Sequence, residues 1–143
     1  MATYLIIGGS SGIGLSLANL LSAEGHQVYA TYNTHPVQAA NNLISWHPLN
    51  VLDENIALDF LPEMLNGIIY CPGSINLRPF DRIKAADFIS DYNLNVVGAV
   101  KIIQAVLPRL KKASNASITL FSTVAVQNGL PFHSQVAASK GAI

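Results

Sequence analysis

A chain of 143 residues is long enough for one domain with a sizeable core and too short for two ordinary ones. Half of it (50%) is hydrophobic, only 11% is charged, and eight basic residues balance eight acidic ones; this argues against disorder, a nucleic-acid partner or an acidic-membrane partner. The lone Cys71 excludes an internal disulfide, no signal-peptide pattern precedes Tyr4–Ile7, and every apolar run falls short of the roughly 18–20 residues of a membrane span, so a soluble cytoplasmic protein is expected.

Strand-length apolar runs alternate with segments of helical period, which predicts a doubly wound, Rossmann-like parallel α/β sheet in a single domain, 1–143. Thr3–Ile7 is the first strand. Ile13, Leu17, Leu20 and Leu21 then follow the spacing of an amphipathic helix, with Gly25 placed to end it. Gln27–Thr31 reads as the second strand, and a polar stretch with Pro36 leads through a weak helix to a third near Leu43–Pro48. Ile56–Leu65 has helical spacing interrupted by Pro62, and Gly67–Cys71 is the fourth strand. Apolar or small residues at Phe88, Tyr92, Val96, Ala99, Ile103, Val106 and Leu110 mark a long helix. Ser117–Phe121 is a fifth strand, after which another helix begins near Ala137. A hydrophobic fifth strand left at a sheet edge would be poorly covered, so the chain is expected to be part of a longer fold or to be completed by a partner.

Between the first strand and first helix stands Gly8-Gly9-Ser10-Ser11-Gly12-Ile13-Gly14. A glycine turn in that context lets the backbone approach a pyrophosphate while the helix N-terminus offers unpaired N–H groups and the positive end of its dipole. Gly8 suits the tight turn, Gly12 the phosphate approach and Gly14 close packing of helix on strand; the alternative is an ordinary structural turn.

The GGSSGIG spacing resembles that of the short-chain dehydrogenase/reductase family, with Ile7 where the family usually has Thr. The resemblance runs in register along essentially the whole chain. It implies cofactor contacts from Gly8, Ser10, Ser11, Gly12, Ile13 and Gly14, and from Asn33 after the second strand. Asn50 stands where the family has an adenine-contacting Asp, followed by Val51, and Gly73 alone keeps the family's Asn-Asn-Ala-Gly. Asn95-Val96-Val97-Gly98 is similar to the family's N-x-x-G, whose Asn belongs to the proton relay; a helix-interior Asn bonding its own backbone is the other reading. Anchoring the family's Y-x-x-x-K on Lys140 puts Val136 at the tyrosine position, and counting back thirteen reaches Thr123 in place of the serine. The implied catalytic set is therefore Asn95, Thr123 and Lys140, with Lys140 also binding the cofactor ribose.

Valine does no proton chemistry, and general acid–base assistance is worth about 10²–10⁴ in rate. His133 is a candidate substitute donor or a plain loop histidine. The segment after the second strand, Thr31-Tyr32-Asn33-Thr34-His35, holds no acid to repel a 2′-phosphate and no Lys or Arg to grip one. NADP is favoured on that ground, with NAD the alternative. The expected function is NAD(P)-dependent hydride transfer to or from an alcohol or carbonyl substrate in a homo-oligomer. The competing readings are a catalytically silent dinucleotide binder and an inactive fragment. Cys71 reads as a small buried hydrophobe, and the scattered histidines support no metal site.

Overall fold

The computed structural model describes residues 1–37 and 41–143. The strands are β1 (Thr3–Ile7), β2 (Gln27–Tyr32), β3 (Ile44–Pro48), β4 (Gly67–Tyr70) and β5 (Ser117–Leu120), all paired in parallel in the order β3-β2-β1-β4-β5. The helices are α1 (Gly12–Ala23), α2 (Ala85–Tyr92), α3 (Gly98–Leu110), α4 (Ala125–Asn128) and α5 (Ser134–Ala142). The chain steps from β1 outward through β2 to β3, then returns to the far side of β1 for β4 and β5. That reversal between β1 and β4 is where an open α/β sheet forms a ligand crevice at its C-terminal edge.

Alternate residues of the central strands supply two cores, as the strand period of two requires. Leu5, Ile7, Ile68 and Tyr70 face Ala99, Ile102, Val106 and Leu110 of α3. Ile6, Val28, Ala30, Ile44 and Ile69 face Ala18 of α1. Both faces of β1 and β4 are therefore dry, which accounts for their continuous apolar runs.

Two expectations need correction. Ile56–Leu65 is not helical, although Leu58, Leu61 and Leu65 are buried in the α3-facing core. Pro62 has no N–H to give the Leu58 carbonyl, as a helix would require; Leu61 N–H (3.2 Å) and the Arg109 guanidinium (3.5 Å) bond that carbonyl instead. The long helix begins at Ala85 and is broken by a π-turn, Asn93–Val97, in which Gly98 N–H reaches back to the Asn93 carbonyl. Across that junction the inward positions are Asp91 in α2 and Asn95 within the turn, while Tyr92 is 44% exposed, so the apolar stripe is displaced from the face that packs. α4 is an additional helix, four residues for which the sequence carries no helical period. The weak helix expected before the third strand falls partly on residues 38–40, outside the described residues.

Candidate nucleotide-binding and catalytic site

A cleft of about 340 Å³ opens at the C-terminal ends of β1 and β4. Its wall includes every residue nominated for the cofactor except Lys140: Gly8, Ser10, Ser11, Gly12, Ile13, Gly14, Asn33, Asn50, Val51 and Gly73. The glycine turn is built as its spacing demands. A Cβ on Gly14 would lie 2.2 Å from the Gly8 carbonyl oxygen, so α1 closes on the end of β1 only with glycine there. Gly12 has φ +52, a left-handed conformation that side chains resist, and a Cβ there would meet no atom within 4 Å.

Thr31, absent from the sequence-based candidates, ties this turn to β2. Its hydroxyl accepts the Gly8 N–H at 3.1 Å and its carbonyl accepts the Gly9 N–H at 2.8 Å. Ser11 begins α1 without a side-chain cap, and the first turn carries no acidic residue. Unpaired N–H groups and the dipole's positive end thus remain for an anion at the cleft wall. The turn and uncapped helix end suit a pyrophosphate, and the amide and hydroxyl groups around them suit ribose.

Asn50 stands on the wall with its amide already engaged in its own loop. Its Oδ1 accepts the Leu52 N–H at 3.1 Å, and its Nδ2 donates to Asp53 at 2.8 Å. This shapes the loop and leaves Val51, buried against Gly98, as the apolar surface beneath it.

Gly73 brings Asn95 and Lys140 together. A Cβ at Gly73 would sit 3.2 Å from Asn95 Oδ1 and 3.4 Å from Lys140 Nζ. Asn95 is fully buried; its Nδ2 donates to the Asp91 carbonyl at 2.9 Å, while its Oδ1 has no partner among the described residues. The back-bonding expected of a helix-interior Asn is thus present, and it turns the amide oxygen towards Gly73. Burial pushes the Lys140 ammonium below the usual lysine range, and the charge of Asp91 and the Cys71 thiol oppose that shift. The Cys71 thiol is pushed up to about 11 by burial, so it is a neutral thiol at neutral pH.

Thr123 lies just after β5, ahead of α4. Its hydroxyl accepts the Ala125 N–H at 3.3 Å, at the start of α4. The link from this strand end to Lys140 comes from its neighbour: Ser122 Oγ donates to the Lys140 carbonyl at 2.9 Å. Val136 is 7% exposed and faces inward on α5. His133, just before α5, has its Nδ1 on the Pro131 carbonyl at 2.6 Å and is not part of the cleft wall. Sequence reasoning also missed Asp91 and Ser74, whose side chains bond each other beside Gly73. The signal was Asp91 four residues before Asn95, one turn along the same helix face.

The likeness to known proteins covers the same residues. Human 17-beta-hydroxysteroid dehydrogenase type 1 is 30% identical over 157 residues, taking in 97% of this chain and 48% of the relative. A short-chain dehydrogenase from Streptomyces avermitilis superposes with a TM-score of 0.89 at 22% identity, over 99% of this chain and 56% of that one. The NADP-bound protein ElxO superposes with a TM-score of 0.87 at 22% identity, over 99% and 64%. The chain thus spans about half the length of the curated relatives it matches. The short chain dehydrogenase family model matches residues 2–143, from the first strand through the glycine turn to the last helix, and the chain belongs to that family.

Proposed function

We propose that this chain carries the nucleotide-binding half of an NAD(P)-dependent oxidoreductase that acts on an alcohol or carbonyl substrate. The observation that supports this most is the coincidence of the glycine turn, the uncapped N-terminus of α1 and the Gly73 corner in one cleft at the sheet's reversal point. In this reading Gly12 and the first N–H groups of α1 hold the pyrophosphate, Asn33 and Tyr32 border the adenine ribose, and Val51 underlies the adenine. Lys140 donates to the other ribose at Gly73, with Asn95 Oδ1 beside it as acceptor. A bound nicotinamide would supply the hydride to a carbonyl carbon or take it from an alcohol carbon, with the oxygen's proton exchanged with water. Thr123, whose hydroxyl proton is not used in the bond to Ala125, orients the substrate oxygen.

The cofactor is NADP rather than NAD in this reading, because no acid follows β2 to repel a 2′-phosphate. The NADP-bound ElxO agrees with this choice. Val136, buried at the family's tyrosine position, favours a second reading: a relative that binds the dinucleotide and turns over no substrate.

Fluorescence titration with NADPH and with NADH tests the proposal. Saturable uptake, tighter for NADPH and weakened at least about tenfold by Gly12→Asp through like-charge repulsion at the phosphate, is expected. A folded chain that takes up neither cofactor refutes it. With binding in hand, Val136→Tyr separates the two readings. Carbonyl reduction by the unsubstituted chain supports the enzyme; reduction seen only after Val136→Tyr supports the silent binder.

A further inference from the structure

Asp91 is a buried charge that the proposed reaction does not use. It lies on α2 at 3% exposure, where an unpaired carboxylate is strongly disfavoured. One of its oxygens takes a hydrogen bond from Ser74, the residue after Gly73; the other, Oδ2, is buried with no partner among the described residues. Its backbone carbonyl receives Asn95 Nδ2 and so aims the Asn95 amide oxygen at Gly73. Side chain and backbone of one residue therefore reach the Gly73 corner by two routes, and Lys140 Nζ stands at that same corner.

We propose that Asp91 is a positioning residue for Lys140: its carboxylate, held by Ser74, supplies the counter-charge that keeps the lysine ammonium at Gly73, on the edge of the nucleotide cleft. The inference deepens the nucleotide-binding reading, and rests on it for the ribose that Lys140 would meet. Lys140 is half-buried, which favours its neutral amine, a poor donor to ribose hydroxyls and no counter-ion for phosphate. The groups acting against that loss are Asp91 from α2 and Cys71 from the end of β4. Cys71 is neutral at neutral pH, so the carboxylate does the work. Asp91 and Lys140 make no direct ion pair among the described residues. The lysine is attracted without direct contact and its N–H donors remain available, whereas a closed salt bridge would occupy them.

The test is the titration of Lys140 in the full chain, followed by NMR of labelled lysine side chains with Lys140→Arg to assign the signal. Asp91→Asn keeps the shape and the contact with Ser74 but removes the charge, and should lower the Lys140 midpoint by about one pH unit or more. Asp81→Asn, on the exposed turn Phe80–Arg82, should leave it in place. Should Asp91→Asn not fold, Asp91→Ser removes the same charge with less bulk and is read the same way. A Lys140 midpoint that ignores loss of the Asp91 charge overturns the proposal. NADPH titration of the same proteins from neutral to alkaline pH should show binding lost at lower pH in Asp91→Asn. If the unsubstituted chain takes up no NADPH, the nucleotide reading falls, while the Lys140 midpoint still decides whether Asp91 holds the lysine.

Discussion

Tyr70 ends β4 with its ring in the core and its hydroxyl donating to the Leu94 carbonyl at 2.6 Å. Burial pushes that phenol above its ordinary range, so it stays a neutral donor at every working pH. The bond joins the sheet to the π-turn, and Gly98 leaves room for it, since a Cβ there would lie 2.5 Å from the Tyr70 oxygen. Tyr70→Phe strands the Leu94 carbonyl and should cost about 1–3 kcal/mol, read from the urea midpoint. An unchanged midpoint would mean that water or a helix N–H takes over. Gly14 gives a harsher case. Gly14→Ala drives a methyl into a backbone carbonyl that cannot swing aside, and should cost about 3 kcal/mol with the thermal midpoint falling accordingly. A stable Gly14→Ala chain would show that α1 can lift off the turn.

The connection from β3 to β4 is an element without regular secondary structure, and α3 holds it in place. Arg109 Nε donates to the Pro62 carbonyl at 3.1 Å and its Nη2 reaches the Leu58 carbonyl at 3.5 Å, while Leu58, Leu61 and Leu65 fill the core beneath. One guanidinium thus satisfies carbonyls that a helix would have paired internally. Arg109→Met keeps most of the stem packing and removes both bonds, and should cost about 1–3 kcal/mol. Lys112→Ala breaks only the exposed pair with Glu63 and should leave the urea midpoint close to its original value. Equal effects of the two would mean that the loop is held by its leucines alone. The π-turn acts in the other half of the long helix. It carries Asn95 to the inner face, one turn after Asp91 of α2, and π-bulges of this kind recur at functional sites.

Across the molecule the two faces of the sheet are closed at its centre, and its two margins differ. β5 is an edge strand with Ile118 46% exposed. At the opposite margin β3 is covered by an aromatic stack, His47 on Phe60 with centroids 3.8 Å apart and Tyr29 alongside. His47 Nε2 is buried with no partner among the described residues, and burial holds the imidazole below its ordinary pKa. Above about pH 6.5 folded and unfolded chains both hold it neutral. Below that the unfolded chain takes up a proton that the folded chain resists, so stability falls until the folded-state value is passed. The unfolding midpoint should drop as the pH falls below about 6.5, above the range in which carboxylates titrate, and His47→Phe should flatten the drop. Identical pH dependence in the two proteins would remove His47 as its cause.

The sheet was legible because its strands are local objects. Thr3–Ile7, Gln27–Tyr32 and Gly67–Tyr70 are apolar runs of strand length bounded by Gly, Pro or polar turns, and no distant contact is needed to recognise them. The glycine turn was legible for the same reason, since its chemistry lies in seven consecutive residues. Hydrophobic spacing failed where burial and backbone conformation part company. Ile56–Leu65 buries its leucines on a non-helical backbone because Arg109, 44 or more positions along the chain, supplies the missing hydrogen bonds. Asp91 and Asn95 escaped the apolar stripe because α5 and the Gly73 corner meet α2 with polar groups, and a buried polar face has no hydrophobic period to read. Residue identity determined which chemistry the chain can hold; the π-turn and the packing of α5 decided that Asn95, Lys140 and Asp91 share one corner. Groups so far apart in sequence are brought together only by long-range packing, which leaves no trace in local spacing.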